Sequence, residues 1–535
     1  MPWITAIVLL PLLGTLSLLA VPGEGRLTQT RIQALLATLG TLVLTAIVVG
    51  RFDRNDGRLQ FVDQQDWAAS VGLQWKVGVD GVSLWMLLLT AVIFAIAIGA
   101  ACWRPPALPR TFLMLLLMAE TGLLGLFAAG DLVIFYVFWE AMLIPFAFLI
   151  GKWGGENRTR AAIKFVVYTM VGSLLMLVAV VGTAFIAREV TGQFTFDMEA
   201  LRGVEFSHAA SIWLFAGFGI AFAIKLPLWP FHGWLPDAYG AAPILVTALL
   251  AAVMSKAGVY GLLRIGVPIF PEGADYFATT FLALAVIGIV YGSLVAWRAP
   301  TMRLLVAYSS LAHLGFIVLG IMAFDVIGAQ GSILQMVNHG IVVAAAFVIV
   351  GVIARTADGE RIDSVSGLAA TAPRLAYIFL IVAMASLAIP GSNSFAGEFF
   401  ILTGAFRWHV WAVVIACLGI IYASIYMLRL YQRSMNGPYK GGRDAEAVEL
   451  RAYDLAILVP LVLVMLFIAF WPAALVGATE RSVERAVAPA QIAADRPPDT
   501  IAAPVEPNPP EYAVPLPGDE PPVDAASGAT PEATP

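Results

Sequence analysis

Fourteen runs of about 20 predominantly apolar residues each follow one another along the chain, and each is long enough to carry a helix across the hydrocarbon of a bilayer. No soluble core absorbs that many apolar segments. Only 13% of the 535 residues are charged, against about 25% in a soluble domain. The runs lie near 3–21, 32–50, 79–101, 111–128, 131–151, 162–187, 210–236, 243–266, 276–297, 304–323, 329–354, 375–405, 409–431 and 453–476. They predict an all-α polytopic membrane protein with 14 spans. The N-terminal Met-Pro-Trp-Ile has no basic region, and no small-residue cleavage site precedes Arg26, so the first run reads as a retained helix.

An even number of spans places both termini on one side. With the N-terminus outside, 18 loop lysines and arginines fall in the cytoplasmic loops and 8 in the outer ones, Arg264 among them. The positive-inside rule therefore predicts both termini extracytoplasmic. The net charge of -5 says nothing about nucleic acid, and the cations are spread over short loops and form no basic tract, so no nucleic acid is expected as a partner. Cys102 and Cys417, the two cysteines, lie far apart, which excludes a disulfide framework and a four-thiolate cluster within this chain. No nucleotide loop, dinucleotide fingerprint or haem motif occurs. From 488 to 535 the composition turns to Pro, Ala, Asp and Glu, which predicts a disordered acidic tail.

Two spans are interrupted. In the seventh, Lys225 precedes Pro227 and Pro230; in the twelfth, Leu387-Ala388-Ile389 runs into Pro390-Gly391. A lysine at the centre of a spanning helix costs roughly 2.5 to 3.5 kcal/mol on insertion scales, and interior prolines free backbone groups that lipid cannot satisfy. Spanning a bilayer requires neither feature. Spans 7 and 12 cross in opposite directions because they differ by an odd number, so units of five helices, spans 4–8 and 9–13, would be inverted repeats flanking ion sites. The chain then divides into a three-helix segment 1–110, a first repeat 111–266, a second repeat 276–431, a last helix 453–476 and the tail 488–535.

Ionisable residues fall inside seven separate spans: Glu120, Glu140, Lys225, Lys256, His313, His339 and Glu398. Each is costly in hydrocarbon unless paired or hydrated, and carboxylates, lysines and imidazoles are the groups that exchange protons. Together they predict a proton relay. For Glu120 and His339 the competing reading is simple packing or a place at the membrane edge. His208, His232 and His409 are expected near helix ends or in loops, as bystanders.

Four motifs carry a resemblance: Gly130-Asp131 through Trp139-Glu140 to Pro145; Lys225-Leu-Pro227-Leu-Trp-Pro230-Phe-His232-Gly-Trp234; Met254-Ser-Lys256-Ala-Gly; and Ala307-Tyr308-Ser309-Ser310 to His313. They resemble the antiporter-like membrane subunits of respiratory NADH:quinone oxidoreductase (complex I). The resemblance runs from Gly78-Val-Asp80-Gly-Val-Ser83 through span 13. It implies the inverted repeats, an ion pair of Glu140 with Lys225 in a first half-channel, Lys256 at the centre, His313 and His339 on a connecting polar axis, and Glu398 toward the exit. The expected exchange runs from Lys256 through His313 and His339 to Glu398.

Within that superfamily, glutamate at position 398 is expected for the M type (chain 4) and lysine for the L and N types and the multi-subunit cation/proton antiporters. The absence of a long amphipathic helix after the last span is also expected for the M type. One departure stands out. The usual Asp-x-Lys-Arg before Ala-Tyr-Ser is here Thr301-Met302-Arg303-Leu304, leaving Arg303 without the acidic residue and the second base. The resemblance implies proton translocation in a bacterial plasma membrane, driven by redox chemistry on NAD, FMN, iron–sulfur clusters and quinone held by partner subunits. Other membrane subunits, with related antiporter-like ones on either side, are the expected partners. A subunit of a sodium/proton antiporter or of a membrane-bound hydrogenase, and a purely structural membrane subunit, remain the alternatives.

Overall fold

The computed structural model describes residues 2–23, 26–68, 71–355, 359–440 and 449–496. Most of the acidic tail expected over 488–535 lies outside the described residues. Among the described residues, 12 helices are long and apolar enough to cross a membrane. The chain is therefore an integral, mostly helical, polytopic membrane protein. In chain order the main helices are α1 (Trp3–Leu19), α2 (Leu27–Arg51), α3 (Gly81–Trp103), α4 (Pro109–Ala128), α5 (Leu132–Ala141), α6 (Leu143–Trp153), α7 (Arg158–Thr191), α8 (His208–Lys225) and α9 (Leu235–Ala241). They continue as α10 (Ile244–Ile269), α11 (Pro271–Arg298), α12 (Met302–Met322), α13 (Val326–Ala354), α14 (Pro373–Ser386), α15 (Asn393–Phe406), α16 (Val410–Met435), α17 (Ala452–Phe470) and α18 (Ala473–Ala493).

The chain is not purely helical. Between α2 and α3, β1 (Gln60–Ala68) and β2 (Leu73–Val79) pair antiparallel. The alternation of Leu73, Trp75, Val77 and Val79 with Gln74, Lys76 and Gly78 is the period-2 pattern of a strand, too short to register among 20-residue apolar windows, and its second half is buried on both faces.

Which helices face lipid and which lie inside follows from their composition. α2 and α16 have only 33% and 39% of their apolar window buried, and present exposed leucines, isoleucines and valines outward. α10 and α12 are 89% buried and α13 is 94% buried. Those three interior helices carry Lys256, His313 and His339. Apolar surface facing lipid gains nothing from being covered, so helix association in a membrane rests on close packing and on polar contacts between helices.

Asp80 begins α3. Its Oδ1 accepts the N–H groups of Val82 and Ser83 while the Ser83 hydroxyl accepts the Asp80 N–H, a reciprocal cap on the first turn. Its second oxygen accepts from the guanidinium of Arg264 on α10, and both side chains are buried. Sequence reading had counted Arg264 as an outer-loop cation. The structure instead places it in the last turns of a buried helix, held there by Asp80, and removing it from the outer loops widens the charge asymmetry.

α18 is a second correction. A helix of 21 residues follows the last apolar one, so the composition change at 488 falls within a helix, and a long amphipathic helix does come after α17. Leu475, Ala478, Ser482, Val483, Ala486, Val487 and Ala490 form its buried stripe, the 3.6-residue period that a hydropathy scan at low mean apolarity overlooks. Ser482 Oγ accepts the Gly81 N–H (2.9 Å), Arg485 pairs with Glu199, and beyond the helix Arg496 donates to the Ala323 carbonyl (2.7 Å). The helix thus ties the start of α3 to the turn after α12.

Removing one member of a buried ion pair strands the other charge, at a cost of roughly 3–5 kcal/mol. Asp80→Asn retains an amide able to cap α3 but leaves Arg264 unpaired, so we expect a lower thermal midpoint and less assembled protein in the membrane. Asp80→Asn with Arg264→Met recovers most of both. Thermal unfolding of the solubilised protein and quantification in membranes measure the two effects.

Candidate functional site

The first polar region forms where α8 breaks. Pro227 and Pro230 bring no N–H to the backbone ladder, and the chain turns out of the helix after Lys225. The freed carbonyls are satisfied locally: Ala223 O accepts Leu228 N–H (2.8 Å) and Ile224 O accepts the Trp234 indole N–H (2.9 Å). This gives Trp234 of the Lys225-to-Trp234 motif a structural task. Lys225, buried at the C-terminal end of α8, lies where the helix dipole favours a cation.

Glu140 sits at the junction of α5 and α6, where Pro145 withholds the N–H that would bond the Ala141 carbonyl. The expected ion pair of Glu140 with Lys225 is absent from the structure. The Lys225 ammonium instead lies 4.7 Å from the centroid of the Trp139 ring, and Glu140 Oε1 is buried with no hydrogen-bond partner among the described residues. A cation over an indole face gains about 0.5–2 kcal/mol without a counter-charge. Trp139 stands in the motif beside Glu140, but an aromatic in an apolar run carries no sequence signal of a role of its own.

The second polar region is built on α10. Two π-helical turns, Leu250–Met254 and Leu262–Gly266, flank Lys256. Wide turns of this kind occur where a helix must re-aim a side chain. The Lys256 ammonium donates to the Ala251 carbonyl five residues back, to Ser255 Oγ (3.4 Å), and meets His339 Nδ1 at 2.8 Å. Its three donors thus meet three neutral acceptors. Gly340, next to His339, allows this approach, since a Cβ there would stand 2.8 Å from the Ala252 carbonyl.

From His339 the row continues. The His339 and His313 rings have centroids 5.3 Å apart, and His313 Nδ1 lies 2.9 Å from Glu398 Oε1, which also accepts from Gln335 Nε2 (2.9 Å). All of these side chains are buried. A cavity of about 10 Å³, room for roughly one water, is lined by His313, His339, Gln335, Ser309 and Ser394. The break between α14 and α15 is held by a reciprocal amide contact: Asn338 Nδ2 donates to Asn393 O (2.7 Å) and Asn393 Nδ2 to Asn338 Oδ1 (3.2 Å).

The spatial order is therefore Lys256, His339, His313, Glu398, which reverses the two histidines relative to the sequence reading. Chain order misleads here because α12 and α13 run side by side in opposite directions. Gln335, Asn338 and Asn393 were missed as neutral amides; the spacing of Gln335 and Asn338 from His339 on one buried helix was the available signal.

Glu120 is brought to neither region. It is fully buried on α4, accepts a hydrogen bond from Thr38 of α2 (3.0 Å), and faces away from the α5 side, which Gly122 and Gly125 contact. His208 pairs with Glu272 at an exposed helix end, and His409 lies against Arg496. His232 sits in the α8–α9 break, its ring 5.0 Å from that of Tyr291 on α11. Arg303, which lacks its usual acidic neighbour in sequence, is paired after all: both Glu360 oxygens accept from it, and it also donates to the Ala242 carbonyl (2.7 Å) past the end of α9. The acid comes from 57 residues downstream, out of reach of a local motif.

Fold and site together define a polytopic membrane protein whose interior helices carry a buried row of ionisable groups, hydrogen-bonded at Lys256–His339 and at His313–Glu398 with the two imidazole rings adjacent between them. Residues 129–422 match the family model described as NADH:quinone oxidoreductase/Mrp antiporter, TM. The NADH-quinone oxidoreductase subunit M of Rhodobacter capsulatus is 37% identical over 452 residues, covering 82% of this chain and 86% of that protein. A chain in the structure of respiratory complex I from Thermus thermophilus with bound NADH superposes with a TM-score of 0.80 at 32% identity, covering 90% of this chain and 99% of that one. A chain of the Mrp complex from Dietzia shares the fold at 24% identity, with a TM-score of 0.79 and 92% of this chain and 99% of that one covered. The chain belongs to this family of antiporter-like membrane subunits, and within it to the subunit M type.

Gly258, two residues beyond Lys256, packs against the end of α8: a Cβ there would lie 2.6 Å from the Phe222 carbonyl and 2.8 Å from Leu226 N. Gly258→Ala must push α10 from α8, at a cost of about 1–3 kcal/mol. The expected result is a lower thermal midpoint of the solubilised protein, measured by thermal unfolding.

Proposed function

We propose that this chain is a proton-translocating subunit of a membrane-bound NADH:quinone oxidoreductase, moving protons through its buried row while the redox chemistry proceeds in other subunits. The observation that carries this reading is the buried succession Lys256, His339, His313, Glu398, hydrogen-bonded at both ends with the two imidazole rings adjacent in the middle. Four proton-exchanging side chains from four helices would not be buried in line for packing alone, given what each costs in hydrocarbon. Two cysteines are too few to ligate an iron–sulfur cluster, and this reading assigns the clusters, NAD, FMN and quinone to partner chains.

The architecture supports the same reading. Counting α1 and the pair α14–α15 as spans gives 14, and the breaks at α8–α9 and α14–α15 then fall five spans apart. That spacing supports inverted repeats with a broken helix in each half. The excess of loop cations on one side supports an orientation with both termini outside a bacterial plasma membrane. Related antiporter-like subunits on either side would be the immediate partners.

A proton on Lys256 Nζ passes to His339 Nδ1, and the resulting imidazolium releases the proton on its other nitrogen toward His313. The His313 proton is then taken by Glu398 Oε1, which Gln335 holds in place. In the first half, Lys225 over Trp139 and the separated Glu140 form an open state. Rotation of the lysine toward Glu140 closes an ion pair that retains its proton, and opening the pair releases that proton toward Lys256. Two arrangements of Lys225, set by a conformational signal from the rest of the complex, make the relay conditional.

The test is NADH-driven proton uptake in inverted membrane vesicles carrying Lys256→Ala or Glu140→Ala. Pumping falls to near the level of uncoupled membranes in Lys256→Ala, and Glu140→Asp retains more than Glu140→Ala. Full coupled activity in both alanine variants would refute the relay. Proton movement driven by a sodium gradient without NADH would favour the antiporter reading, to which the shared fold with the Mrp chain points.

A further inference from the structure

On the face opposite the β-hairpin, the ends of α3, α6 and α13 and the starts of α4, α10 and α17 enclose a groove of about 330 Å³. Its walls are apolar: Phe112, Ile244, Leu245, Val348, Val352 and Ile457. Its rim is not. Arg104 and Arg355 both line the mouth. Arg355 donates to Asp454 (2.6 Å) with its side chain 41% exposed, whereas Asp454 is buried. Arg104 is exposed and stacks on Tyr453, its guanidinium carbon 4.2 Å from the ring centroid. Arg104 makes no ion pair with a described carboxylate, so among the described residues it adds a positive charge beside the Arg355–Asp454 pair.

The position of the groove decides what fits it. It opens where six helices end, the depth at which hydrocarbon gives way to headgroups, and Trp103, Trp153 and Tyr453 surround it as interfacial aromatics do. An apolar slot below that level with cations above it matches an amphiphile with an acyl chain and an anionic head. Free phosphate would meet the arginines but leave the slot unfilled. A zwitterionic lipid would fill the slot but bring its own cation to the arginines.

We propose that this groove is a binding site for an anionic phospholipid, its phosphate held by Arg104 and Arg355 and the upper part of one acyl chain seated between α10, α13 and α17. The site lies on the face to which the loop cations assign the cytoplasm, where anionic lipids are attracted by about 1 kcal/mol per basic residue near the surface. Its occupant touches the first turn of α10, the helix of Lys256, and Val348 of α13, nine residues beyond His339. It wedges the two interior helices of the polar row from their cytoplasmic ends.

The test uses the assembled complex in detergent, photolabelled with phosphatidylglycerol bearing a diazirine high on one acyl chain, with cross-linked peptides mapped by mass spectrometry. Labels are expected on 244–245, 348–352 and 453–457, displaced by unlabelled phosphatidylglycerol but not by phosphatidylcholine or inorganic phosphate. Arg104→Gln weakens the apparent affinity about fivefold, the weight of one basic residue, while NADH oxidation shows that the complex is intact. Val348→Trp, which fills the slot and keeps the arginines, abolishes labelling. Equal displacement by phosphatidylcholine, displacement by phosphate alone, labelling confined to other helices, or no effect of Arg104→Gln in an active complex would each overturn the proposal.

Discussion

The arrangement of this membrane protein's interior depends on a lysine ammonium buried among neutral acceptors. Lys256 meets a carbonyl, a hydroxyl and an imidazole nitrogen, and no carboxylate. In a medium where an unsatisfied charge costs several kcal/mol, that solution demands three things at once. The helix must widen into a π turn so that the Ala251 carbonyl faces the ammonium, Gly340 must let α13 close in, and His339 must point Nδ1 at the lysine. Each of these constrains a different helix, which is why α10 and α13 are among the most completely buried elements.

The second polar region meets the same difficulty differently. Lys225 is placed at a helix C-terminus and over an indole ring, with Glu140 out of contact. A lysine so held has weaker anchors than Lys256, and its partner carboxylate is left with an unsatisfied oxygen. In the Lys256 row, by contrast, Lys256 meets His339 and His313 meets Glu398 at hydrogen-bond distance, with the two rings adjacent between them. The Arg264–Asp80 pair and the docking of α18 act outside these regions, tying the start of α3, the end of α10 and the turn after α12 into one body.

Much of this is legible from the residues. The apolar runs announce the membrane, the prolines after Lys225 and before Asn393 announce the breaks, and a lone lysine within an apolar run cannot be indifferent to its surroundings. The hairpin and α18 were not legible because their signals are short or amphipathic and the dominant period is that of continuous apolar helices. Arg303 shows the limit most clearly: its acid, Glu360, has no fixed offset from it, so no motif encodes the pair.

The sequence by itself determined the class of protein, the location of the broken helices and the identity of the groups buried in lipid, because hydropathy, proline and charge act locally and their costs are set by composition. Only the tertiary structure decided who meets whom. That His339 and not His313 touches Lys256, that Trp139 and not Glu140 receives Lys225, and that Arg104 and Arg355 share one groove all follow from how helices distant in the chain pack side by side. Contacts across helices depend on the relative rotation and depth of each helix, which close packing of small residues sets and no single segment specifies.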